Sequence, residues 1–447
     1  MRIPNDLNAL LNQLCKCWGG GGDTTHAKRV AACPSNRISL HHHPFSPYFS
    51  AIYLLPVVLL PFSPFYAYMV GIFIMICFSA YIPKSFRILL GLTLCLSIAI
   101  IFSSRLYFNL APDSDDDFSR YYQNYLDVYD NLPQAMTQWG GGYEIGLPVF
   151  YKLLAIFLPK LPPQYVLFYT ALFATLLMYI WLEKYGSKFV KNSQKSALIA
   201  FSLCIIVFLS TLGLTRQALA SIFLLYVFFV KSPYLKLVFF LIATSFHLSS
   251  IPIVLACYVL YYFPRFSLVV FMGFFSAFLI SSALINSHLV DGANLLNGIF
   301  PNRVTSYILY YVSANGYNPY YLIYTNIMKN IIMCCIVFSL FVINANDKLV
   351  KRFRVLILVA FAIYITNIIP GRVVMLIGDT LFCFIIFVVF RHFFSLTLLF
   401  FFPYFLKLMY GLLTSGDHPE TRALELFFSF PESSLYPFYY FFQGALL

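Results

Sequence analysis

ILLGLTLCLSIAIIFSSRLYF, residues 88–108, runs directly into NLAPDSDDDFSRYYQNYLDVYDNLPQAMTQWGGGYEIG, residues 109–146. The first stretch is apolar over a length of about 20 residues, enough for a helix that meets its own backbone hydrogen bonds to cross a hydrocarbon core. The second carries Asp113, Asp115, Asp116, Asp117, Asp127, Asp130 and Glu144, seven of the seventeen acidic residues in the chain. The pair predicts a membrane span delivering a polar loop, Asn109 to Gly146, into water. Within that loop Asp117 is followed four residues on by Tyr121, then by Tyr122 and Tyr125, and Trp139 precedes three glycines and Tyr143. Carboxylates and tyrosines in an aqueous loop beside a membrane suit sugar hydroxyls; a solvated acidic loop that only keeps one side polar is the competing reading.

Outward from this point the composition settles the class. Of the 447 residues 60% are hydrophobic and 10% charged, and apolar runs near span length recur through most of the chain. An all-α, polytopic integral membrane protein of about eleven to thirteen transmembrane helices is expected, with a soluble fold excluded. The formal charge of +12 does not indicate nucleic acid, because Lys and Arg gather on the cytoplasmic side of such proteins. Residues 1–48, with Cys15, Cys17, Cys33, a Gly19 to Gly22 run and His41 to His43, read as a disordered leader or as residues encoded upstream of the true start. Their spacing matches no closed four-ligand zinc pattern. The bundle is expected over 49–413, with larger outer loops at about 109–146 and 286–320 and a short tail at 414–447. Two short helices should meet near Ser63, Leu147 to Leu158 is too short to cross, and the run Leu237 to Phe263 should break at His247.

Basic residues at Lys84 and Arg87, at Lys184 to Lys195, at Lys231 and Lys236 and at Lys348 to Arg354 mark inner turns. Against that bias Arg105, Arg216, Arg303 and Arg372 fall at or near outer span ends. A guanidinium offers a planar fork suited to phosphate oxygens and keeps its charge in a partly dry cleft, so four of them on one side predict a pyrophosphate site. The alternative is that each snorkels to headgroups or pairs with an acid of the nearby loop. His247 sits where a membrane segment breaks, and irregular backbone at depth is tolerated beside protein or a wet cavity; the plainer reading is a hydrogen-bonded helix contact. Lys329 and Asp379 read as a bundle clasp.

Ser104-Arg105-Leu106-Tyr107, Asp117 with Tyr121 and Tyr125, Gly142-Tyr143-Glu144-Ile145-Gly146, Thr215-Arg216-Gln217-Ala218-Leu219-Ala220 and Ser245-Phe246-His247-Leu248-Ser249 follow in this order. Together they resemble the EpsG-like branch of Wzy-type O-antigen and exopolysaccharide polymerases. Ser103 and Ser104 stand before Arg105 where that family commonly has a glycine. The resemblance implies a GT-C-like polymerase architecture and a metal-independent inverting glycosyltransferase at the periplasmic face of the bacterial inner membrane. Such an enzyme moves a growing glycan from undecaprenyl diphosphate onto a new lipid-linked repeat unit, with a chain-length regulator as partner. Arg216, Arg372 and Arg303 would hold the diphosphate, with Arg105, Tyr121 and Gln217 as further substrate-binding residues, and His247, Asp117 or Glu144 would orient or deprotonate the acceptor. No cofactor is expected and no metal cluster is evident, although the aspartate run keeps a divalent cation open. A flippase or transporter of the same lipid-linked sugar, an O-antigen ligase, an acyltransferase and a non-catalytic assembly subunit are the rival classes; two large outer loops and the lack of internal repeats favour a one-sided enzyme over alternating access.

Overall fold

The computed structural model describes residues 47–103, 117–203, 215–251, 253–255, 258 and 380–390. The chain divides into two units, Met1–Tyr48 and Phe49–Leu447, and apart from the first residues of α1 the description concerns the second. The described residues are helical, with no strand among them: α1 (Pro47–Leu59), α2 (Pro64–Cys77), α3 (Lys84–Ser103), α4 (Asp117–Asp130), α5 (Leu132–Thr137), α6 (Gly146–Phe157), α7 (Pro163–Lys184), α8 (residues 195–203), α9 (Thr215–Phe229), α10 (Pro233–Phe246) and α11 (Phe382–Phe390).

Helices start where the sequence supplies a cap and a proline. Ser63 accepts from Tyr66 N–H at 3.3 Å ahead of Pro64, and Ser232 holds Leu235 N–H ahead of Pro233; proline is tolerated there because its missing N–H would be unpaired anyway. The break expected near Ser63 is therefore present. α3 and the stretch Pro163–Phe189 are long and apolar enough to cross a membrane. α2, α6, α9 and α10 are shorter apolar helices; the twelve residues of α6 reach only about 18 Å, short of a core about 30 Å thick.

The stretch expected as a polar loop is largely helical. From Asp117 it forms α4, which buries Phe118, Tyr121, Tyr125 and Val128, spaced three or four apart as one helix face requires. Asp117 stands in the first turn, where an acid meets the positive end of the helix dipole. The high acid count hid a helical period that was present.

α3 and α7 pack antiparallel in steps of four. Arg87 meets Glu183 in a bidentate pair at 3.1 and 2.6 Å, and Cys95 Sγ reaches Thr175 O at 3.6 Å. Between them, a Cβ on Gly91 would lie 2.3 Å from the Tyr179 ring, so only glycine lets the ring seat there. Arg87, one of the basic residues that mark the inner turns, is buried in the first turn of α3. Ser79 Oγ donates to Ser193 O and accepts from Ala197 N–H at the same end. α9 ends there too, Phe229 lying 5.1 Å from Trp181 and Tyr226 donating to Leu177 O at 2.7 Å. α10 runs back along α9, with Phe223 stacked on both Phe239 and Phe246. Thr215 and His247 therefore share the end of the bundle away from Arg87, Glu183 and Lys184.

Outward faces are apolar: Val149, Leu153, Ile156 and Phe157 on α6 and Leu237, Val238 and Leu241 on α10 are exposed. Such faces aggregate in water and suit a hydrocarbon surrounding. The expected second loop at 286–320, the Lys329 and Asp379 clasp, the 414–447 tail and the later spans other than the stretch that holds α11 lie outside the described residues.

Candidate functional site

Three segments distant in sequence meet at the end of the bundle that holds Thr215 and His247. The first is the turn from Trp139 to Glu144. Gly140, Gly141 and Gly142 all have positive φ, 55°, 67° and 92°, a region that residues with a Cβ rarely enter. A Cβ on Gly140 would also lie 2.7 Å from Glu144 Cγ. The turn folds the chain back so that the Glu144 side chain is buried, 6% exposed.

The second segment is the first turn of α9, carrying Arg216 and Gln217. Arg216 Nη1 donates to Glu144 Oε2, and the guanidinium lies over the Trp139 ring, 3.9 Å from its centroid. Tyr121 of α4 completes that wall, its ring 5.9 Å from the guanidinium carbon and 5.7 Å from Trp139. Taking both charges out of water is costly and becomes tolerable only with close geometry and further bonds, which the aromatic faces and the backbone supply.

The third segment is the end of α10. His247 leaves the helix with extended backbone, φ −156° and ψ 124°, and a turn follows in which Ser250 N–H bonds His247 O at 3.1 Å and Ile251 N–H bonds Leu248 O at 3.0 Å. Leu248 N–H donates to Glu144 Oε1 at 2.7 Å. Ser249 N–H donates to His247 Nδ1 at 3.1 Å, and Gln217 Nε2 donates to Ser249 Oγ at 3.3 Å. His247 Nδ1 lies 3.4 Å from Glu144 Oε1. Gly146 makes this meeting possible: a Cβ there would lie 2.8 Å from Phe246 Cγ, 2.9 Å from Phe246 N and 2.9 Å from the Ser245 carbonyl carbon. The start of α6 thus rests directly on the backbone at the end of α10.

Glu144 is the hub of the assembly, one oxygen holding the arginine and the other holding the turn after His247. Three buried polar atoms around it, Arg216 Nε, Gln217 Oε1 and Trp139 Nε1, have no hydrogen-bond partner among the described residues. Native interiors leave few such groups, and two donors and an acceptor at one place fit a polar ligand or ordered water. Among the described residues no cluster of three or more His, Cys, Asp or Glu side chains is placed to hold a metal.

Of the residues singled out in the sequence, Tyr121, Glu144, Arg216, Gln217 and His247 are brought together. Asp117, half-buried, stands one turn before Tyr121 on α4. Arg105, Arg303 and Arg372 lie outside the described residues, as do Asp113, Asp115 and Asp116. Arg216 makes the loop-acid pairing that competed with a phosphate role. Tyr125 and Tyr122 serve the scaffold instead: Tyr125 Oη accepts from Leu161 N–H at 2.8 Å and Tyr122 Oη donates to Leu161 O at 3.1 Å, and burial pushes the Tyr125 phenol above its ordinary range. Trp139 was not singled out as a site residue; its place directly before three glycines was the available signal. The backbone N–H groups of Leu248 and Ser249 carry no signal in sequence.

The described residues are helical, two stretches among them are long and apolar enough to cross a membrane, and the polar cluster at one end of the bundle is the candidate site. A model of the EpsG family matches residues 90–428. That is well over half of the chain, and the chain belongs to the EpsG family. No curated protein and no solved structure matches it.

Proposed function

We propose that the protein is a membrane polysaccharide polymerase, a glycosyltransferase that moves a growing glycan from undecaprenyl diphosphate to the terminal sugar of a new lipid-linked repeat unit. Family membership supports polymerase-like activity, and one observation carries the site: the buried Glu144–Arg216 pair lies against the His247 break with Arg216 Nε lacking a partner among the described residues. A cation with a spare donor is what a departing diphosphate requires. Glu144, with one oxygen taken by the guanidinium and the other by Leu248 N–H, positions Arg216 and the turn. The task of orienting or deprotonating the acceptor hydroxyl then rests with His247 or Asp117, and Tyr121, Gln217 and Trp139 line the place where substrate meets Arg216. Arg105, Arg303 and Arg372 are proposed to add further phosphate contacts from the rest of the chain.

In this reading the protein is polytopic in the bacterial inner membrane. The end bearing Lys84, Lys184, Lys188, Lys191 and Lys195 faces the cytoplasm by the positive-inside bias, and the site faces the periplasm. A chain-length regulator in the same membrane is the expected partner. The test is a glycan ladder: delete the gene, then complement with wild type, Arg216→Ala and His247→Ala at matched membrane abundance. Single capped repeat units in the deletion, with neither variant restoring the ladder, are expected. Absence of all surface repeat units would favour a flippase or ligase, and a normal ladder in the deletion refutes the proposal.

A further inference from the structure

Two contacts of different kinds hold Arg216. Nη1 donates to Glu144 Oε2, which fixes one point of the guanidinium and leaves its plane free to turn about that bond. The Trp139 ring fixes the plane: the guanidinium carbon lies 3.9 Å from its centroid, well inside the range of about 6 Å over which a cation is drawn to an aromatic face. Nε, buried and without a hydrogen-bond partner among the described residues, belongs to the same rigid plane. Its direction is therefore set by the ring as well.

Trp139 is itself anchored from both sides. Its carbonyl accepts from Gly142 N–H at 2.9 Å, closing the turn made by the three glycines of positive φ. On the other side the buried Asn124 of α4 donates through Nδ2 to Ala135 O at 2.9 Å and to Gln138 Oε1. Those two bonds tie the segment just before the tryptophan to the helix. Tyr121, about one turn before Asn124 on α4, lies 5.7 Å from the indole, ring to ring. An indole beside a glycine turn also suits the face of a sugar ring, but here a guanidinium covers one face. The indole N–H is buried with no partner among the described residues, so Trp139 meets Arg216 through its ring.

We propose, building on the polymerase reading above, that Trp139 is a positioning residue: it presets the plane of the Arg216 guanidinium for the lipid diphosphate and acts on the substrate only through that arginine. An arginine loses much rotamer freedom when it is fixed on a ligand, and one already ordered by its neighbours has less left to lose. A fixed donor direction is also what stabilising charge on a departing diphosphate requires. The ring face is the working feature, so phenylalanine should serve and an aliphatic side chain should not.

Native mass spectrometry of the full-length chain in detergent reads lipid affinity without requiring polymerisation. The chain is titrated with undecaprenyl diphosphate and, separately, with the lipid-linked repeat unit extracted from the deletion host. Trp139→Leu is expected to weaken both lipids by about tenfold, and Trp139→Phe to stay within about threefold of wild type. In an Arg216→Met background Trp139→Leu should change affinity by less than about twofold. Thermal unfolding in the same detergent shows which variants are folded, and Trp139→Met is the second non-aromatic variant should leucine fail. Phenylalanine as weak as leucine would give the role to the indole N–H, and a loss confined to the glycan-bearing lipid would make the ring a sugar platform. Equal losses with and without Arg216, or no diphosphate binding by the wild type, would show that the stack does not serve the substrate. Each of these results overturns the proposal. A normal ladder in the gene deletion removes the polymerase reading alone, and the binding series still decides the role of Trp139.

Discussion

Replacing Glu144 tests whether the buried pair is the hub of the site. Its side chain is 6% exposed and that of Arg216 13%, so solvent screens the pair little. Removing one partner of a buried pair costs about 3–5 kcal/mol, most of it from the charge left behind. Glu144→Gln keeps an acceptor for Leu248 N–H and a neutral bond to Arg216, so the lower end, about 3 kcal/mol, applies. Arg216→Met leaves the carboxylate without its cation and takes the guanidinium off Trp139, for about 4–5 kcal/mol. In the double variant no stranded charge remains, and a coupling of about 2–3 kcal/mol is expected. Reversible unfolding in mixed micelles of rising denaturing detergent, read by tryptophan fluorescence and protease resistance, gives the four corners of the cycle. Additivity of the two single losses to within about 0.5 kcal/mol would refute the reasoning, because it would mean that the two side chains do not rely on each other.

Gly146→Ala should destabilise by about 1–3 kcal/mol and reduce the ladder even though the residue bears no chemistry, because two of the three atoms its Cβ would meet belong to the α10 backbone. Stability in the same detergent assay and ladder density at matched abundance check this, and an unchanged protein would show that α6 and α10 can part at no cost. Arg87→Gln, at the opposite end, should cost about 3 kcal/mol by stranding Glu183 yet leave polymer made per folded protein unaltered. Loss of specific activity there would mean that the two ends are not independent.

The breaks near Ser63 and at His247 were legible because each has a local cause, a serine cap before proline in one and a lone polar residue inside an apolar run in the other. The shortness of α6 was legible from its length and flanking prolines. α4 was missed as a helix because the count of acids outweighed the spacing of Phe118, Tyr121, Tyr125 and Val128, a period that burial reveals at once. Arg216 and His247 could be singled out by type and place and Gln217 by the resemblance, but the choice of Glu144 as the acid that meets Arg216 could not. That choice depends on three glycine φ values and on a backbone contact at Gly146, both of which arise from tertiary packing. Trp139 was noted beside the glycines, but its contact with the Arg216 guanidinium had no signal in the sequence.

Glu144 and Arg216 stand 72 residues apart, and Glu144 and Leu248 stand 104 apart. A chain made from its N-terminus exposes the acid long before its partners exist. Until α9 has been synthesised, Glu144 lacks the guanidinium that it pairs with in the folded protein. Closure of the pair is therefore a late event in the making of the chain: one stalled before α9 has the carboxylate but neither the guanidinium nor the Leu248 N–H that hold it in the folded protein.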